Sequence, residues 1–178
     1  MDPLTLIEKY YHNFPELKNV LIVHSEQVRD RALQIVDRHP EMGADRQFVS
    51  EAAMLHDIGI IFCNAPKIFC FGTHDYIEHG YLGANLLRQE GLPRHADVAE
   101  RHTGSGITFE QVMREDLPLP AQDYCPRTIE EKIICYSDKF FSKSHLGEEV
   151  SLDKVRYNIW RYGSEAIKRF DEWHKLFS

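Results

Sequence analysis

The 178-residue chain is poor in the features that mark most specialised protein classes. It has four cysteines, Cys63, Cys70, Cys125 and Cys135, with no CxxC pair, so neither a disulfide framework nor a zinc ribbon is signalled and reduced thiols are expected. A structural zinc on Cys63, Cys70 and His74 lacks an evident fourth ligand. Positive charge is in deficit: 21 Lys and Arg against 28 Asp and Glu give a net charge of -7, which leaves no summed field to draw in a long nucleic acid or an anionic membrane. Hydrophobic runs are too short for a membrane span, and MDPLTLIEKYY has neither a basic n-region nor an apolar h-region, so the cytoplasm is the default compartment. Internal repeats and low-complexity tracts are missing, and no segment has the sustained alternation of a strand.

What remains is helical periodicity in an ordinary globular composition, 43% hydrophobic and 28% charged. An all-α chain forming one domain over residues 1–178, a helical bundle of about seven to nine helices, is the expectation. Leu17, Leu21, Val28, Ala32 and Ile35 step at helical spacing, and His24 fills the slot between Leu21 and Val28. A second helix runs from an Asp45 cap through AAMLHDIGI, with Gly59 as its stop. Residues 61–73 read as irregular, with Thr73 capping a helix that carries His79 and continues to about Glu90. A short helix ends at His102, and capping boxes at Thr108/Gln111 and Thr128/Glu131 open two more, the second carrying Asp138 in line with Ile134 and Phe141. Ser151 caps one long final helix over about 151–177.

His24, His56, Asp57, His79, His102 and Asp138 therefore fall on inward faces or at helix ends. Each alone has an ordinary explanation as a hydrogen-bonded core histidine or an ion-paired aspartate. Four imidazoles and two carboxylates converging in one helical core are hard to satisfy by pairing alone, whereas a divalent ion supplies the missing positive charge. His56 and Asp57 sit at the end of their helix, where its dipole favours a cation.

The order His24 in NVLIVHSEQV, His56 and Asp57 in MLHDIGI, His79 in IEHGYLGANLL, His102 in AERHTGSGIT and Asp138 in CYSDKF resembles the H…HD…H…H…D pattern of two-metal members of the HD-domain metal-dependent phosphohydrolase superfamily. The resemblance covers about residues 17–145. It implies one ion held by His24, His56, Asp57 and Asp138, a second held by His79, His102 and a bridging Asp57, and catalysis by metal-activated water at His56 and Asp57. Histidine and carboxylate ligands suit Fe, Mn, Co, Ni or Zn, with one or two ions. The implied substrate is a small phosphate ester, a nucleotide or dinucleotide. Two alternatives share the motif: a di-iron oxygenase of the inositol-oxygenase-like HD type, and a regulatory HD module that keeps its metal but turns over little.

One departure concerns phosphate. Many HD hydrolases carry a lysine after HDIG, and here Ile60 follows. Arg101 and Lys139, each beside a candidate ligand, are substrate-binding candidates, with a structural ion pair as the equal alternative. The second HD dipeptide, His74-Asp75, reads mainly as helix-cap chemistry, Glu78 as an exposed helix carboxylate or proton carrier, and His145 as a residue near a helix end outside the site. The loop Asp116 to Arg127 and the aromatic segment Ile61 to Gly72 are candidate substrate-facing surfaces. Phe62, Phe69 and Phe71 equally suit closing the core or a homo-oligomer contact.

Overall fold

The computed structural model describes residues 1–178. Nine α-helices form the molecule: α1 (Pro3–Tyr11), α2 (Pro15–Arg38), α3 (Arg46–Leu55), α4 (His79–Gln89), α5 (Pro93–Arg101), α6 (Phe109–Arg114), α7 (Ile129–Asp138), α8 (Leu152–Trp160) and α9 (Ser164–Phe177). Side-chain caps open many of them. Asp45 accepts from Phe48 N–H at α3, Thr108 from Gln111 N–H at α6, Thr128 from Glu131 N–H at α7 and Ser151 from Lys154 N–H at α8, each satisfying an otherwise orphaned donor. None of the helices is long and apolar enough to cross a membrane.

The apolar stripes pack into two large clusters that meet along α2. One joins Val28, Ala32 and Ile35 of α2 to Val49 of α3, Ile133 and Ile134 of α7, Val155 of α8 and Phe170 of α9. The other joins Leu17 and Leu21 of α2 to Ile7 and Tyr11 of α1, Leu55 at the end of α3, Ile58, Leu87 of α4 and Ala99 of α5. Each large side chain so buried contributes about 1.5–3 kcal/mol. Between Leu21 and Val28, the points where α2 passes from one cluster to the other, lie the buried polar residues His24 and Ser25.

Four local expectations need correction. Helix α3 ends at Leu55, and Gly59 lies beyond it in a 3-10 turn, Ile58–Phe62. Its role is close approach: a Cβ at Gly59 would stand 2.1 Å from the carbonyl oxygen of His79 and 2.4 Å from Gly83 N. The cap before α4 is Asp75 rather than Thr73, in a capping box where Glu78 accepts from Asp75 N–H, so Glu78 is structural. The final helix breaks into α8 and α9 at Gly163, whose φ of 98° is open to glycine at little cost. Two short antiparallel hairpins also form, β1 (Asn64–Ala65) with β2 (Cys70–Phe71) and β3 (Phe141–Ser142) with β4 (His145–Glu149). They are too short for an alternation to register.

Candidate metal centre

The ends of three helices deliver the central residues. His56 and His102 cap the C-termini of α3 and α5, and Asp138 is the last residue of α7, so the negative ends of three helix dipoles meet where a cation is expected. Asp57, with φ -104° and ψ 10°, turns the chain out of α3 and brings its carboxylate back beside His56. His24 reaches in from the middle of α2 and His79 from the first residue of α4. All six side chains are buried.

Their donor atoms form two groups joined at one carboxylate. Asp57 Oδ2 lies 3.1 Å from His24 Nε2 and 3.0 Å from His56 Nε2, while Asp138 Oδ1 lies 2.9 Å and 3.4 Å from the same nitrogens. Asp57 Oδ1 instead faces His79 Nε2 at 3.3 Å and His102 Nε2 at 3.2 Å. The two oxygens of Asp57 are thus divided between the two groups.

Backbone carbonyls three residues upstream set the tautomers. Nδ1–H of His56 donates to Ala53 O at 2.7 Å, that of His79 to Tyr76 O at 2.5 Å and that of His102 to Ala99 O at 2.7 Å. A carbonyl only accepts, so each Nδ1 carries a proton and Nε2 is the atom left facing the centre, as a lone pair wherever the ring is neutral. His79 Nε2 and His102 Nε2 then face each other at 3.0 Å as two acceptors. His56 Nε2 and both oxygens of Asp57 are buried with no well-directed hydrogen bond. Two donors bound about 2.1 Å from one ion lie about 3 Å apart in adjacent coordination positions. The residues fit a divalent metal on their own geometry.

Electrostatics agree. Burial pushes the Asp57 carboxyl up, but His56 and Lys143 outweigh it and hold the group well below the usual range. Asp138 is likewise pushed up by burial and held low by Lys139 and His24. Burial drives His102 down to about 4. It also acts downward on His56, where the two aspartates win and raise the ring to about 9.

Lys143 is the residue that sequence reading missed. It sits in the connection between β3 and β4 with Nζ 2.6 Å from Asp57 Oδ2. Five residues past Asp138 and outside any helical pattern, it gave no signal. Lys139 donates to His102 O at 2.8 Å and Asp138 Oδ2 at 2.6 Å. Both lysines line a cavity of about 220 Å³ above the His79/His102 pair, with Tyr76 and Tyr162 on its sides. The same four residues also border an outer cavity of about 510 Å³ reaching Lys67 and Asn158.

Other candidates lie elsewhere. The Arg101 guanidinium is spent on Glu131, at 3.1 and 3.2 Å, and on Asp97 at 3.3 Å; it does not line the cavity, so its place is a structural ion pair. His74 pairs with Glu78, and Cys63 and Cys70 are buried free thiols with no metal-capable group around them, which removes the structural zinc. His145 is exposed on β4. The loop from Asp116 to Arg127 borders neither cavity, whereas Ala65, Lys67 and Ile68 of the preceding segment border the outer one. Phe62, Phe69 and Phe71 are exposed rather than closing the core.

Comparison with known proteins gives the class. The family model described as HD domain matches residues 21–142, and the chain belongs to that family. Among individual relatives, a tRNA (cytidine(56)-2'-O)-methyltransferase of Picrophilus torridus is 36% identical over 129 residues, 72% of this chain and 33% of that protein. The protein of the same name from Thermoplasma volcanium is 32% identical over 160 residues, 89% of this chain and 42% of that one. The chain therefore spans less than half the length of these curated relatives. An uncharacterized protein of Methanocaldococcus jannaschii is 40% identical over 115 residues, 64% of this chain and 59% of that protein. The HD domain of the L. monocytogenes phosphodiesterase PgpH shares the fold with a TM-score of 0.56 at 19% identity, covering 94% of each chain. Its complex with cyclic-di-AMP matches equally well in shape at 21% identity, covering 95% of this chain and 92% of that one.

Proposed function

We propose that this chain is a two-metal phosphohydrolase acting on a small phosphate ester, a nucleotide or dinucleotide. The observation that carries the reading is the division of Asp57, one oxygen toward His24 and His56 and the other toward His79 and His102. That is the arrangement of a bridging carboxylate. His24, His56, Asp57 and Asp138 would hold one ion, and His79, His102 and Asp57 the other. When bound, two such ions lower the pKa of water and polarise a phosphoryl oxygen for in-line attack.

The chain's own residues supply the remainder. The carbonyls of Ala53, Tyr76 and Ala99 fix three imidazoles so that little reorganisation is needed on binding. Lys139 and Lys143 place two ammonium groups in the cavity wall, paired with Asp138 and Asp57, although the molecule is acidic overall; with those carboxylates turned to metal, the lysines would suit an anionic group at this one place. The same wall disfavours the oxygenase alternative for uncharged substrates, and the complete ligand set disfavours a module without turnover. The outer cavity adds room for a nucleoside-sized group, since ligand pockets of this class run to about 300–1,000 Å³.

The test is a panel of phosphomonoesters and phosphodiesters, including cyclic dinucleotides and tRNA-derived phosphates, on protein with measured metal content. Expected is phosphate release or diester cleavage that requires added Mn, Co or Fe. Oxygen consumption by an iron-loaded sample with no phosphate release would overturn the reading in favour of an oxygenase, and metal retention with neither activity would favour the regulatory module.

A further inference from the structure

We infer that Lys143, presented from the β3–β4 connection, is the phosphate-binding lysine of this site, and that it leaves Asp57 for the phosphate when metal is bound. The inference rests on the proposed function for its substrate, and on the geometry for the residue.

The place after the HD pair holds no cation: Ile60 is fully buried in the apolar cluster and lines neither cavity. The lysines lining the inner cavity are Lys139 and Lys143. Lys139 is committed by a backbone and a carboxylate bond, to His102 O and Asp138 Oδ2, both in its own wall. Lys143 has one ion-pair partner, Asp57 Oδ2, and its other polar neighbour is the Tyr76 hydroxyl, which lines the same cavity.

That partner is the oxygen on which His24 and His56 also converge. A divalent cation among His24, His56, Asp57 and Asp138 and the Lys143 ammonium therefore compete for one oxygen, and like charges at that separation repel. The lysine carries a four-carbon stem and three rotatable donors, so it can withdraw without moving the backbone. Its exit is the cavity it already lines, where it also borders the outer chamber beside Tyr76. An anion bound over the metal centre would meet it there. Lys143 is thus a counter-ion for Asp57 in the metal-free chain and a donor to phosphate in the loaded one.

Isothermal titration of Mn²⁺, and then of inorganic phosphate at saturating Mn²⁺, into wild type, Lys143→Ala, Lys143→Met and Lys143→Arg reads both roles without turnover. Lys143→Ala should bind the first Mn²⁺ more tightly than wild type, because a competitor is gone. It should bind phosphate about 10- to 100-fold more weakly, the value of a charge-assisted hydrogen bond. Lys143→Met keeps the stem and guards against a folding defect, and Lys143→Arg should restore most of the phosphate affinity. Phosphate affinity within threefold of wild type in both Ala and Met variants, or Mn²⁺ binding weakened in both, would overturn the inference and leave Lys143 a structural counter-ion. A wild-type protein that binds phosphate through Lys143 yet cleaves nothing in the panel would instead overturn the hydrolase reading alone.

Discussion

Replacing Gly59 by alanine probes the packing that aligns the two halves of the metal centre. The added Cβ would meet His79 O at 2.1 Å, Gly83 N at 2.4 Å and Gly83 Cα at 2.8 Å, all backbone atoms of α4 and none able to rotate away. Restoring ordinary contact requires the turn after Asp57 and the start of α4 to separate by more than about 1 Å, and overpacking of a rigid core costs about 3 kcal/mol at the upper end of its usual range. For a chain of this length each kcal/mol lowers Tm by about 2–4 °C, so the fall should be about 6–12 °C. Gly91→Ala is the control: its φ of 75° carries a left-handed penalty of about 1 kcal/mol, but nothing stands within 4 Å. Thermal melts with and without Mn²⁺ separate the effects, because the shift that pushes α4 away also moves His79 from Asp57 and should shrink the metal-induced rise in Tm. A Gly59→Ala protein melting within about 2 °C of wild type and keeping its full metal response would refute the close-packing account.

Asp57→Asn should remove both ions from the protein, whereas His79→Ala should remove one, as read by elemental analysis after gel filtration; equal losses would contradict the shared carboxylate. Metal binding at pH 7 should release protons, because His56, raised to about 9 in the metal-free chain, must surrender one to offer Nε2; calorimetry in buffers of different ionisation enthalpy measures this. The same raised pKa means that the charged ring stabilises the metal-free fold fully below its ordinary value of 6.5, and that this stability is lost as pH rises through about 9. Arg101→Ala leaves the buried Glu131 carboxylate only the Arg127 backbone N–H and should cost about 3 kcal/mol in chemical denaturation, the lower end for breaking a buried pair. It should leave catalytic activity per folded molecule unchanged; a selective loss of activity would return Arg101 to the substrate.

The six residues of the candidate site were legible in the sequence because each lies on or at the end of a helix whose apolar register is strong, and a histidine or aspartate inside such a register stands out. The fold class followed from the same periodicity. Lys143 was illegible for the converse reason: it lies in a hairpin connection whose strands span Phe141–Ser142 and His145–Glu149, and only tertiary structure carries it back over Asp57. Arg101 was ambiguous because adjacency to His102 in sequence turns it roughly 100° away on the helix, toward α7 and Glu131 rather than the cavity. Gly59 looked like a helix stop because a close backbone approach leaves no sign in one chain segment; the contacting backbone, of His79 and Gly83, lies twenty or more residues on. The break at Gly163 escaped notice because the apolar stripe continues on both sides of it, from Val155 and Ile159 to Phe170 and Trp173.

His24, His56, Asp57 and Asp138 occupy the boundary between the two apolar clusters, so the interior has a polar seam, and α2, α3 and α5 each carry buried apolar residues on both sides of it. The apolar residues of these helices hold the two sides together under all conditions. The charges set between them add a contribution that depends on what occupies the seam. In the chain itself His56 and two lysines face two buried aspartates there. A divalent ion held by residues as distant in sequence as His24 and Asp138 would tie both sides to a single point and stabilise the whole fold according to its affinity. The candidate metal centre would then serve the molecule's stability as well as its proposed chemistry.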